Sequence, residues 1–206
     1  IPSLQYAADH GVKHVVLLSL QGADRNKVVP HAKLEAWLRD SDLAWTFLRP
    51  SFFMENLSTT HSADIRDEDA IIVPAGKGRT AFVAASDVAA CACAVLADPA
   101  PHAGKAWTPT GPQALTYDEV AAVLSTVLGR PIRYRRPGVV AYMWHARRRL
   151  GMPWPMVFVT AAIYSVARFG KAAGLTGDVA ELTGRAPVSL QSWASDTVEA
   201  WHRPQP

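Results

Sequence analysis

Apolar residues recur along the first half of the chain in two alternating rhythms. Nearly unbroken apolar runs occupy 13–19 (KHVVLLS) and 44–49 (AWTFLR), the form a strand takes when both faces of its sheet are covered. Between them, residues 30–40 place Leu34, Trp37 and Leu38 along one side of a helix, with Pro30 in the first turn, where its missing N–H breaks no bond. Residues 3–10 read as the end of a helix stopped by Gly11, and 21–29 as a polar loop. Pro50 ends the second strand, and Ser51 is expected to open a helix running through Phe53, Met54 and Leu57.

The rhythm continues with strands at 70–73, 80–84, 105–110 and 132–136. Ser86 is expected to cap a helix over 87–97. Thr116 caps the next, and Glu119 three positions on completes a capping box; that helix ends at Gly129. After Pro137 the pattern is helical throughout, over 138–150, 155–173, 178–184 and 189–202. Strand–helix alternation giving way to a helical tail predicts an α/β chain: a parallel sheet over 1–110 and an appended, mostly helical lobe over 111–206.

Composition changes this picture little. Hydrophobic residues make up 49% and charged residues 19%, as in a globular protein that can bury a sizeable core. The net charge of +3 comes from 21 basic and 18 acidic residues, too small an excess for a nucleic-acid surface, and no DNA-binding motif is present. Cys91 and Cys93, two apart on a helix, diverge by about 200°; they read as small fillers in a reducing compartment. Residues 1–10 lack the features of a secretory leader, and the uncharged stretch 152–167 is shorter than the roughly 20 residues of a membrane span. No membrane partner and a cytoplasmic location are therefore expected.

The segment PHAKLEAWLRDSDLAWTFLRPSFFMENL (30–57) resembles the helix–strand–loop block of NmrA-like atypical short-chain dehydrogenases/reductases, in which LRxSxLxWTxLRPxFFMxNL recurs. Three collinear blocks are also similar: HGVKHVVLLS, PAGKGRTAFVAASDVAACACAVLADP, and GKAWTPTGPQALTYDEVAAVLSTVLGRPIRYRRP. The resemblance implies the C-terminal part of a Rossmann-like parallel sheet, with NADP or NAD as cofactor. It also implies a preceding strand, GxxGxxG turn and helix that would hold the pyrophosphate. No such unit occurs here: Gly76–Gly78 and 170–174 lack a strand before and a helix after. The chain is accordingly expected to be N-terminally truncated. Self-association through the sheet edge so exposed is expected with it.

The candidate chemistry clusters where the strands end. Ser19 either hydrogen-bonds a substrate carbonyl or caps its strand. The family's acid–base pair, Tyr-x-x-x-Lys, is absent from the helix over 30–40; His31 stands near the acid's place, as a proton donor or as a helix-start group. Lys33 is a candidate ribose or phosphate contact. Pro50, Ser51, Phe52, Phe53 and Asn56 are expected to lie against the nicotinamide end of the cofactor, with the aromatic residues divided between pocket and core. Trp144, Trp154, Phe158 and Tyr164 suit a flat apolar substrate or plain core packing. The function expected is an NAD(P)H-dependent oxidoreductase acting on a small, flat, hydrophobic acceptor, quinone-like or azo. The alternative is a non-catalytic NAD(P) sensor that binds a protein partner.

Overall fold

Helix α1 (Pro2–Asp9) ends in a Schellman motif: the Gly11 N–H donates to the Ala8 carbonyl and the Val12 N–H to that of Ala7, with Gly11 at φ 86°. The computed structural model describes residues 1–27 and 29–203. Strand β1 (His14–Leu18) is followed by turns, α2 (Pro30–Arg39) and β2 (Ala44–Leu48). Then come β3 (Phe52–Phe53), α3 (Glu55–Ser58), α4 (Ser62–Glu68), β4 (Ala70–Ile72), β5 (Arg79–Val83) and α5 (Ala85–Ala97). Strands β6 (Lys105–Trp107) and β7 (Ala114–Thr116) lead to α6 (Tyr117–Leu128) and β8 (Arg133–Arg135). The remainder is α7 (Val139–Arg148), α8 (Trp154–Arg168), α9 (Asp178–Thr183) and α10 (Leu190–Asp196).

These elements form two units, each drawn from several stretches of chain. The first comprises Ile1–Ser51, Ala85–Thr110 and Thr176–Pro187; the second comprises Phe52–Ala84, Gly111–Leu175 and Val188–Pro206. Position 110/111 is thus one crossing among several.

In the first unit, β1, β2 and β6 make an all-parallel sheet in that order, with His14 opposite Ala44 and Thr46 opposite Lys105. Alternation along β2 sends successive side chains to opposite faces. Phe47 packs with Leu38 and Leu43, supported by Leu4, Val15 and Trp37, while Leu48 packs with Cys91, Val95 and Val179. Helices therefore cover both faces of β2. β1 differs from expectation: none of its residues is fully buried and Leu18 is 52% exposed. It pairs on one side only among the described residues, as an edge strand does.

The second unit holds β3–β5–β7, with β3 parallel and β7 antiparallel to β5, and the parallel pair β4–β8. Its core gathers Met54, Leu57, Ile65, Ile71, Phe82, Tyr117, Leu124, Tyr142, Tyr164 and Trp201. Gly78 lets the α8 backbone approach: a Cβ there would lie 1.8 Å from the Ala167 carbonyl oxygen. The Thr116–Glu119 capping box forms as expected. Ser86 does not cap its helix, which already begins at Ala85.

Ser51 opens no helix. Phe52 and Phe53 pair with Phe82 and Val83, and the Met54 N–H donates to the Val83 carbonyl, so the chain stays extended through Phe53 and turns helical only at Met54. A free strand edge on β5 outcompetes local helix propensity.

Candidate functional site

Beyond the ends of β1, β2 and β6 the backbone stays paired. The Ser19 N–H donates to the Leu48 carbonyl, Gln21 to Pro50, Arg49 to Trp107 and Ser51 to Pro109. These bonds line up residues 19–21, 49–51 and 107–109 along the carboxyl edge of a parallel sheet, the edge at which open α/β folds bind ligands. Ser19, Pro50 and Ser51 are brought together on that edge, and all three are buried.

Directly behind it sits Glu35, with no exposed surface. Its carboxylate accepts from the Ser19 hydroxyl at 2.6 Å, from Arg49 through Nε at 2.9 Å and Nη2 at 2.6 Å, and from Arg39 at 2.9 Å. Burial works to raise its pKa, but the hydrogen bonds from Arg49 and Ser19 and the guanidinium charges win and hold it below the ordinary carboxylate value. Arg49 responds in the opposite sense, raised mainly by the Glu35 hydrogen bonds. The proton of the Ser19 hydroxyl is therefore committed to Glu35. Of the two readings of Ser19, a substrate contact or a strand cap, neither is tested by this bond, which shows only where the hydroxyl proton points.

His31 and Glu35 are four residues apart on α2 and share one face. The face that receives Ser19 and Arg49 thus also carries His31, whose Nδ1 is buried and makes no hydrogen bond within the described residues. Lys33 turns away from that face and is exposed, with no acidic partner among the described residues. The two do not form a Tyr–Lys-like pair.

The other expected contacts belong to the second unit. Phe52 is half-buried and packs against Tyr164, ring centroids 6.4 Å apart. As its strand neighbour, Phe53 points to the opposite face. Asn56 is half-buried on the short helix α3.

Several polar residues escape a reading by motif. Asp87 is fully buried and paired with Arg185 at 2.7 Å, within the first unit. In the second, a ring nitrogen of the buried His61 is hydrogen-bonded to the Tyr164 hydroxyl, and Asp64 holds His145 at 2.9 Å. Burial, then the nearby His145, push the His61 pKa down to about 4, so its ring is neutral. Burial also raises the Tyr164 phenol well above its usual value. Glu35 alone had a sequence signal, its place one turn after His31; the others are joined by long-range contacts. Among the described residues no cluster of His, Cys, Asp or Glu could hold a metal ion.

The sequence profile of the NmrA-like family matches residues 5–180. The NAD(P)H azoreductase of Xenophilus azovorans is 35% identical over 194 residues, covering 89% of this chain and 65% of its own length. This chain thus spans just under two thirds of that relative. The NADPH-dependent quinone oxidoreductase of Escherichia coli superposes with a TM-score of 0.85 at 26% identity, over 95% of this chain and 71% of that one. The Citrobacter sp. triphenylmethane reductase, solved with NADP(H), superposes with a TM-score of 0.78 at 26% identity, over 95% and 67% respectively.

Proposed function

Since the chain belongs to the NmrA-like family, we propose that it is the major part of an NAD(P)H-dependent reductase acting on a flat, conjugated, hydrophobic acceptor of the quinone or azo type. The observation that carries this reading is the similarity to the azoreductase, which covers 89% of the chain and so extends into both units. The likeness to a quinone oxidoreductase and a triphenylmethane reductase supports the same acceptor shape.

The dinucleotide fits the residues present at one end. The ring nitrogen of His31 and the ammonium of Lys33, neither with a partner among the described residues, offer the hydrogen bond and positive charge a ribose and its phosphate require. The glycine-rich strand–turn–helix that cradles a pyrophosphate does not occur among the described residues. When bound, the dinucleotide supplies the hydride.

This chain's own groups then do three things. Glu35, clamped by Arg49 and Arg39, fixes the carboxyl edge and the α2 face bearing His31. Lys33 holds anionic charge on the cofactor, and His31 delivers a proton to the reduced acceptor. The missing Tyr–Lys pair is compatible with this chemistry, because negative charge spread over a conjugated acceptor needs less help from a placed acid than charge on one ketone oxygen.

The test is NADPH and NADH oxidation by the purified protein with quinones, azo compounds and simple ketones. Turnover with the first two and none with ketones is expected. His31→Ala should lower kcat about 100-fold, the usual contribution of a positioned proton donor, and Lys33→Ala should chiefly raise the KM for the dinucleotide. Cofactor binding without consumption under any acceptor would favour a sensing role instead.

A further inference from the structure

Helix α8 is apolar on both sides. Val157, Ala161, Tyr164 and Ala167 face the core of the second unit and are buried. The opposite side is formed by Phe158, Val159, Ile163 and Val166, each more than 40% exposed, and Phe169 follows at 74%. A surface helix ordinarily turns a polar face to water; this one turns hydrocarbon outward along about 20 Å.

Helix α7 extends the patch. Trp144, half-exposed, meets Trp154 edge-on at 5.9 Å, and Trp154 meets Phe158 at 5.9 Å. The Arg148 guanidinium lies over the Trp144 ring at 4.8 Å. Residues 137–177 contain four arginines, one lysine and no aspartate or glutamate. Since the whole chain carries only +3, the rest is net negative, and the positive charge is concentrated around this apolar face. Arg149 is matched by Asp67 and Glu68. Arg147, Arg148, Arg168 and Lys171 have no acidic partner among the described residues.

We propose that the α7–α8 face binds the headgroup–acyl boundary of an anionic lipid bilayer. Exposed tryptophans, an apolar helical side and flanking arginines are the combination that lies in such a boundary. A second copy of the chain fits less well. A two-fold contact would bring the unpaired arginines against one another. No helix among the described residues is long and apolar enough to cross a membrane. The lack of a spanning segment, from which the sequence reading excluded a membrane partner, leaves a helix lying in the surface untouched.

Sedimentation of the purified protein with phosphatidylcholine vesicles, and with vesicles of equimolar phosphatidylcholine and phosphatidylglycerol, tests this. The protein should pellet with the anionic vesicles and be released by salt. Arg147→Gln and Arg148→Gln, both surface changes, should each lower the partition about fivefold, and Phe169→Ser, at an exposed position outside the core, should weaken it too. Protein that stays in solution with both vesicles overturns the proposal, as does equal pelleting with both. So does a stable dimer in size-exclusion chromatography that Phe158→Ser dissociates, for then a second copy covers the face.

Discussion

Glu35 shows how one side chain organises the carboxyl edge of the first unit. A fully buried carboxylate is tolerated there only because two guanidiniums and a hydroxyl donate to it. Glu35→Ala should cost about 3 kcal/mol in denaturant unfolding by leaving the largely buried Arg49 with only the more distant Asp24 as counter-charge, whereas Ser19→Ala should cost about 2 kcal/mol, one charge-assisted hydrogen bond. If Ser19→Ala left stability unchanged, the hydroxyl's commitment to Glu35 would be disproved.

His61 gives the residue scale a pH dependence. Its folded pKa, about 4, lies below the ordinary 6.5, so the unfolded chain binds the extra proton first. Stability should therefore fall as pH drops from about 6.5 toward 4, by at most roughly 3 kcal/mol. Glu35, whose pKa is depressed, adds a further loss below its ordinary value of 4.5, where the unfolded chain takes up a proton that the folded carboxylate still resists. Chemical denaturation across this range with His61→Phe should show a flattened upper limb; an unaltered slope would mean that another group titrates. His31 and Lys33 were legible as sequence neighbours on one helix. The partners of Glu35 and His61 were not, because a hydrogen bond across 16 or 103 residues leaves no periodic trace.

Elements were most readable where local chemistry alone decides them. The Thr116–Glu119 box and the turn at Gly11 follow from backbone donors and acceptors within a few residues. Thr116→Ala should cost about 1 kcal/mol, near 3 °C in Tm for a chain of this size. Where an element depends on a distant partner, sequence misleads. The segment after Pro50 carries a helical pattern, yet β5 draws Phe52 and Phe53 into a strand. The same limit hid β7 and α4, both short. Gly78 belongs to this scale too: Gly78→Ala places a methyl 1.8 Å from the Ala167 carbonyl, and the forced shift of α8 should cost about 3 kcal/mol. Calorimetry showing wild-type Tm would refute that close approach.

At the scale of the molecule, the α/β class was legible in the alternation of short apolar runs with amphipathic helices. The interleaving of the two units was not, since each returns to the other's sequence territory more than once. One consequence follows from β1, whose outer side carries no strand among the described residues while Leu18 remains exposed. Such an edge invites pairing, so these 206 residues expressed alone should associate in a concentration-dependent way; a monodisperse monomer in size-exclusion chromatography would contradict this.

The reductase reading itself is tested most directly by the isotope at the transferred position of the dinucleotide. Turnover of a quinone with NADPH bearing deuterium at C4 should be slower than with the unlabelled cofactor, with the label lost from the oxidised product. A cofactor that binds yet is never oxidised, whatever the acceptor, would contradict the account.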